Sequence, residues 1–152
     1  MKIARVKSVS KAESKTGRTV FIRLRENEDL LNVITEKAEQ NHVNAGFFFA
    51  IGIIKRAVIG FYKDRKYKQI EIAGPLEVVS CLGNISMRED GELVAHAHIS
   101  VADQEGRMFG GHLLAGCPID ATGELVLVET PEAKLKKVLE KKLNLYLWHS
   151  EK

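Results

Sequence analysis

Leu93-Val94-Ala95-His96-Ala97-His98-Ile99-Ser100-Val101 alternates on a two-residue period. Leu93, Ala95, Ala97, Ile99 and Val101 take one side, and Val94, His96, His98 and Ser100 take the other. Successive side chains of a strand point to opposite faces, so this stretch reads as a half-buried strand. Its two imidazoles share the less apolar face. A third histidine joins them by register. Residues 103–107 (Asp-Gln-Glu-Gly-Arg) read as a polar hairpin loop, with apolar positions resuming at Met108. If Ala102 pairs with Met108, His98 lies opposite His112. Directly opposed residues have Cβ atoms about 4.5–5.5 Å apart, so three imidazoles would converge. A one-residue slip would send His112 to the other face.

Three convergent imidazoles match the donor set of a metal site that keeps its fourth position open to water or a ligand. Zinc is the expected ion, although imidazole also suits other divalent transition metals such as copper, nickel and iron. The bland alternative is a hydrogen-bonded polar patch or an interface. Gly110 and Gly111 precede His112 and would let neighbouring backbone come close. Asn84, in a neighbouring Gly-Asn strand, is the candidate to support the ligands from behind.

Working outward, Val20, Ile22 and Leu24 alternate in a first strand. Asn27 then offers an N-cap, and Leu30, Leu31, Ile34 and Ala38 recur at helical spacing, so residues 28–40 are expected to form an amphipathic helix. Residues 46–54 are apolar throughout, which predicts a strand buried on both faces. Short alternating segments follow, punctuated by charged or glycine-bearing turns, Asp90-Gly91 among them. Leu135, Val138, Leu139 and Leu143 after Pro131 predict a second helix over 132–142. Lys134, Lys136, Lys137, Lys141 and Lys142 would form its wet face. The apolar tail 143–148 is expected to pack in the core or against another subunit. The fold class is therefore α+β: a mainly antiparallel sheet of about seven strands flanked by two helices, in one domain over 1–152.

Bulk properties exclude several classes. A net charge of +3, from 23 basic and 20 acidic side chains, is too mild to announce a nucleic-acid binder. Cys81 and Cys117 lack metal-type spacing and read as buried, reduced thiols. Met1-Lys2-Ile3-Ala4-Arg5 does not open a signal peptide, and no run approaches the ~20 apolar residues of a membrane span. The expected location is the cytoplasm, away from membranes. Lys63, Arg65, Lys66 and Lys68 cluster around Tyr62 and Tyr67, a mixture that could grip phosphates and stack bases. Such a run is more often a solvated turn.

The segments Gly46-Phe47-Phe48-Phe49-Ala50-Ile51-Gly52, Gly60-Phe61-Tyr62, Gly83-Asn84-Ile85-Ser86, His96-Ala97-His98 and Gly110-Gly111-His112-Leu113, in this order, carry a family resemblance. The chain resembles the PPC domain, the domain conserved in plants and prokaryotes, in its single-domain prokaryotic form. The resemblance implies an α+β homotrimer and a DNA-binding or regulatory module, with a metal at His96, His98 and His112. In the plant relatives a separate AT-hook contacts DNA, and this chain has no Arg-Gly-Arg-Pro hook, so only weak DNA contact is expected. The histidine pattern is also similar to the zinc site of acetolactate decarboxylase. That implies an alternative: a zinc-dependent lyase or hydrolase on a small oxygenated substrate bound at the metal. Glu77, Asp103, Glu105 and Arg107 are near in sequence, but no spacing makes one of them an acid–base partner. Fold analogy does not carry function, and the enzyme reading ranks second.

Overall fold

The structure, a computed structural model, describes residues 10–150. The opening Met1-Lys2-Ile3-Ala4-Arg5 lies outside them. Eight strands and one helix follow in the order β1 (Thr19–Leu24), α1 (Leu30–Gln40), β2 (Gly46–Lys63), β3 (Lys66–Arg88), β4 (Leu93–Ala102), β5 (Met108–Leu113), β6 (Ile119–Glu129), β7 (Leu135–Glu140) and β8 (Leu145–Ser150). They form one sheet, ordered β1-β6-β2-β5-β4-β3-β7-β8. Because β2 also pairs with β3, strands β2, β5, β4 and β3 close on themselves. All pairings are antiparallel except β3 with β7. No helix among the described residues is long and apolar enough to cross a membrane.

The long strands β2 and β3 absorb what the sequence offers as breaks. Register shifts between Ala50 and Gly52, and between Ile54 and Arg56, carry β2 past the charged pair Lys55-Arg56. Bulges bend a strand without ending it. The hairpin tip between them turns through Asp64 and Arg65, both with positive φ (52° and 62°). That conformation matches the twist of the flanking strands.

Helix α1 begins two residues later than expected, and its cap is Asp29 instead of Asn27. Asp29 accepts from the Asn32 amide at 3.1 Å, while its second oxygen accepts from the Gly116 and Cys117 amides at 2.7 and 2.8 Å. One carboxylate thus satisfies an orphan donor of the helix and pins it to the loop before β6. Leu30, Val33, Ile34 and Ala38 form its buried stripe. They pack with Phe48, Ile54, Ile85, Ile99 and Leu127 in the core. Each of the larger side chains among these contributes about 1.5–3 kcal/mol on burial. Cys81 and Cys117 are free and buried, and burial pushes their thiols up to about 12 and about 11.

Three expectations are corrected. First, the second helix is absent: residues 132–142 contain β7, which pairs with β8 in a hairpin and, in parallel, with Met87 and Arg88. Leu135, Val138 and Leu139 fit a helical stripe, but helix propensity is a weak prior, and the open edge of β3 offers a ladder instead. Lys137 consequently lies 6% exposed, not on a wet face. Second, the tail does not pack in the core: from Leu145 it forms edge strand β8, whose Trp148 remains 44% exposed. Third, the first part of β2 is buried on one face only. Phe48, Ala50 and Ile54 point inward, while Phe49 and Ile51 are about half exposed.

Candidate metal centre

Strand β4 alternates as its sequence dictates, with Ala97, Ile99 and Val101 buried and His96 and His98 on the opposite face. The β4–β5 turn is held by Asp103, whose carboxylate accepts from the Glu105 and Arg107 amides and the Arg107 side chain. That turn sets the register Ala102↔Met108, and so brings His98 opposite His112. The one-residue slip does not occur.

The three rings converge. Their centroids are 5.5 Å apart for His96–His98, 5.0 Å for His96–His112 and 5.5 Å for His98–His112. One nitrogen from each lies within 4.8 Å of the others. Imidazole nitrogens bind zinc at about 2.0–2.1 Å, so three that share one ion lie at most about 4.2 Å apart, close to the spacing found here. His112 Nδ1 is buried and has no hydrogen-bond partner. A buried polar atom left unpaired costs about 1–3 kcal/mol, so the site is chemically incomplete as protein alone. The donor set and its orphan atom therefore fit a metal.

Electrostatics agree. Burial, with the positive charge of Lys137 and the neighbouring rings adding to it, lowers His96 to about 4. Burial, His98 and Lys137 lower His112 to about 4 as well. Both rings are neutral at pH 7, the state that ligates.

Close backbone packing supports the cluster. A Cβ on Gly110 would sit 2.7 Å from the Ile99 carbonyl oxygen, and one on Gly111 would sit 3.1 Å from that of Gly60. Gly60 pairs with His112, and a Cβ there would strike the Tyr67 ring at 2.7 Å. The vacant position admits that ring, which stacks on His112 at 4.4 Å. Asn84 pairs with His96 across the ladder, and its Oδ1 accepts a long 3.5 Å bond from Ser86 Oγ.

Other residues considered in the sequence lie elsewhere. Lys63, Arg65, Lys66 and Lys68 are all exposed at the β2–β3 tip. Glu77 pairs with Ala102, and Asp103, Glu105 and Arg107 bond one another in the β4–β5 turn. At about 3.3 Å per residue, Asp103 lies roughly 17 Å along the chain from His98. Lys137, Tyr67, Arg88 and Tyr146 line the same cavity as His96 and His112. Only long-range pairing assembles them, and no local pattern could have found them.

Comparison with known proteins gives a consistent picture. The Plants and Prokaryotes Conserved (PCC) domain matches residues 11–131. The metal-containing protein of Archaeoglobus fulgidus superposes with a TM-score of 0.85 at 27% identity, covering 93% of this chain and 100% of that one. A plant- and prokaryote-conserved (PPC) protein of Pyrococcus horikoshii gives 0.83 at 31% identity, over 95% of this chain and 99% of the other. The bifunctional protein GlmU of a Synechococcus strain is 32% identical over 117 residues, 76% of this chain. The chain spans only 17% of the length of that curated relative.

Proposed function

This chain belongs to the Plants and Prokaryotes Conserved (PCC) domain family, and on that premise we propose a trimeric regulatory module with a metal centre. His96, His98 and His112 hold one divalent ion, zinc in the first instance, and leave a coordination position for a small ligand. The observation that carries this reading is the buried, partnerless Nδ1 of His112 on a ring that converges with two others. The similarity to a metal-containing protein of Archaeoglobus fulgidus supports it. When bound, the ion supplies Lewis acidity to whatever group takes the open position. The protein supplies the rigid strand pair, the close-packed glycines and two rings kept neutral. Elemental analysis of purified protein, paired with its mass in solution, tests the reading: metal-free protein after zinc loading would end it.

Trimer formation finds support in the outward face of the sheet. Phe21, Val126, Phe49, Leu82 and His98 lie in one row across β1, β6, β2, β3 and β4. Phe21 is 78% exposed, Phe49 51% and Leu82 54%. Contiguous exposed apolar surface of this kind marks interaction sites. Leu82→Asp should shift a trimer toward monomer in light scattering. A wild-type protein that is monomeric at micromolar concentration refutes the trimer.

DNA contact belongs, on this reading, to the β2–β3 tip, and it is weak. Lys63, Arg65, Lys66 and Lys68 project four cations beside a single acid, Asp64. Replacing all four with alanine should abolish binding, and for the wild type log K should fall with log salt by about 0.9 per phosphate contact. Retained binding in that variant moves the surface elsewhere. The lyase or hydrolase alternative on the same metal is less favoured, because the acids near in sequence occupy the far end of β4.

A further inference from the structure

Beside the histidines, a cavity of about 350 Å³ opens between the β4–β5 face and the β7–β8 hairpin. Val94, Ala95, Leu145 and Leu147 give it apolar walls. Its polar lining is one-sided in charge: Arg88 and Lys137 contribute cations, His96 and His112 their rings, and no lining residue is acidic. Apolar walls with a few convergent polar groups are the composition of a small-molecule site, and this volume is at the small end of about 300–1,000 Å³.

The two cations are unequally satisfied. Arg88 bonds Glu92 through Nη1, and through Nη2 it meets Asp90 and the Tyr146 hydroxyl, both at 2.6 Å. Its guanidinium lies 4.1 Å over the Tyr146 ring. These contacts occupy the carboxylates of Asp90 and Glu92, yet Nε stays buried without a partner. Lys137 is 6% exposed and has no ion-pair partner among the described residues. A buried cation without a counter-charge is costly, and such groups are ordinarily paired. Lys137 thus lacks a counter-charge that an anionic occupant of the cavity would supply, while the partnerless His112 Nδ1 belongs to the metal reading.

We propose that this cavity binds a small organic anion, a carboxylate on a short apolar body. The carboxylate lies against Lys137, on the side of the cavity that Arg88 also lines, and the apolar body lies along Leu145 and Leu147. The end nearest His96 and His112 carries an oxygen toward the open position of the metal, and in that last respect the inference rests on the metal reading. Carboxylate fits better than inorganic phosphate, because much of the lining is aliphatic and would leave phosphate oxygens unpaired.

The probe is 2-oxobutanoate, titrated calorimetrically into zinc-loaded protein whose metal content is measured on the same sample. It should bind at least tenfold more tightly than butanone, which has the same body without the charge, and more tightly than inorganic phosphate. Lys137→Met should weaken 2-oxobutanoate at least tenfold with metal content unchanged. The same substitution should raise the melting temperature of the ligand-free protein, because it removes an unpaired buried charge. Lys137→Arg should recover part of the affinity. Equal binding of the ketone, preference for phosphate, or undiminished affinity in folded Lys137→Met overturns the anion site. Stoichiometric zinc in those samples leaves the metal centre standing. Loss of zinc with Lys137-dependent binding intact refutes the metal centre alone.

Discussion

The His98→Ala protein is expected to fall from one divalent ion per chain to a trace in elemental analysis while keeping its fold. Within one chain His98 is exposed, and among the described residues its ring contacts are with the other two imidazoles, so truncation leaves the core of that chain intact. Two remaining imidazoles do not make the three-ligand set that holds an ion against water. An unchanged circular-dichroism spectrum with metal lost is the expected pair of results; undiminished stoichiometric metal would refute the centre. Acid should act more gently than the reference histidine pKa near 6.5 implies. His96 and His112 resist protonation until about pH 4, so proton competition at these two ligands starts well below pH 6. In the metal-free protein the same shifts set the sign of the stability change. An unfolded chain takes up protons near pH 6.5 that the native rings refuse, so stability is full above 6.5 and declines as pH falls toward 4. A flat melting temperature across that window would contradict the burial of both rings.

Gly83→Ala is expected to be among the most damaging single-methyl additions in the protein. Gly83 pairs with Ala97 beside the histidine strand. A Cβ there would stand 2.0 Å from the His96 carbonyl oxygen and 2.8 Å from Cζ of Phe48. The first obstacle is backbone and the second is a fully buried ring, so neither yields without moving β4 or the core. Overpacking commonly costs about 1–3 kcal/mol, and a backbone collision belongs at or beyond the upper end. At roughly 2–4 °C per kcal/mol for a chain of this size, the melting temperature should drop by about 6–12 °C. Metal affinity should weaken as well, since the strand that shifts carries two ligands. Gly91→Ala is the control: its Cβ meets nothing within 4 Å, and its φ of +88° leaves only a local backbone cost of about 1–2 kcal/mol. Equal losses in the two variants would mean that the contact at His96 is not tight.

The candidate centre was legible because it depends on local rules. A two-residue period decides which side chains share a face, and a five-residue polar turn decides which residues oppose each other. Both hold before any distant contact forms, so His96, His98 and His112 could be gathered from the sequence of β4, its turn and β5 alone. The first helix was legible for the same reason, although Asp29 replaced Asn27 as its cap through bonds to Gly116 and Cys117, far along the chain.

What the sequence could not decide were the features set by neighbours remote in the chain. The spacing of Leu135, Val138 and Leu139 suits a helix, but the vacant edge of β3 captured it as a strand. An apolar run such as residues 46–54 is compatible with burial on both faces, yet Phe49 and Ile51 remain open, since nothing in the described chain covers them. Lys137 looked like a solvated charge and lies buried beside His96 and His112 because β7 pairs with Arg88. Periodicity along a chain fixes the direction of a side chain relative to its own strand. Whether that direction leads to solvent, core or a charged cavity is fixed only when another strand, with its own side chains, packs against it.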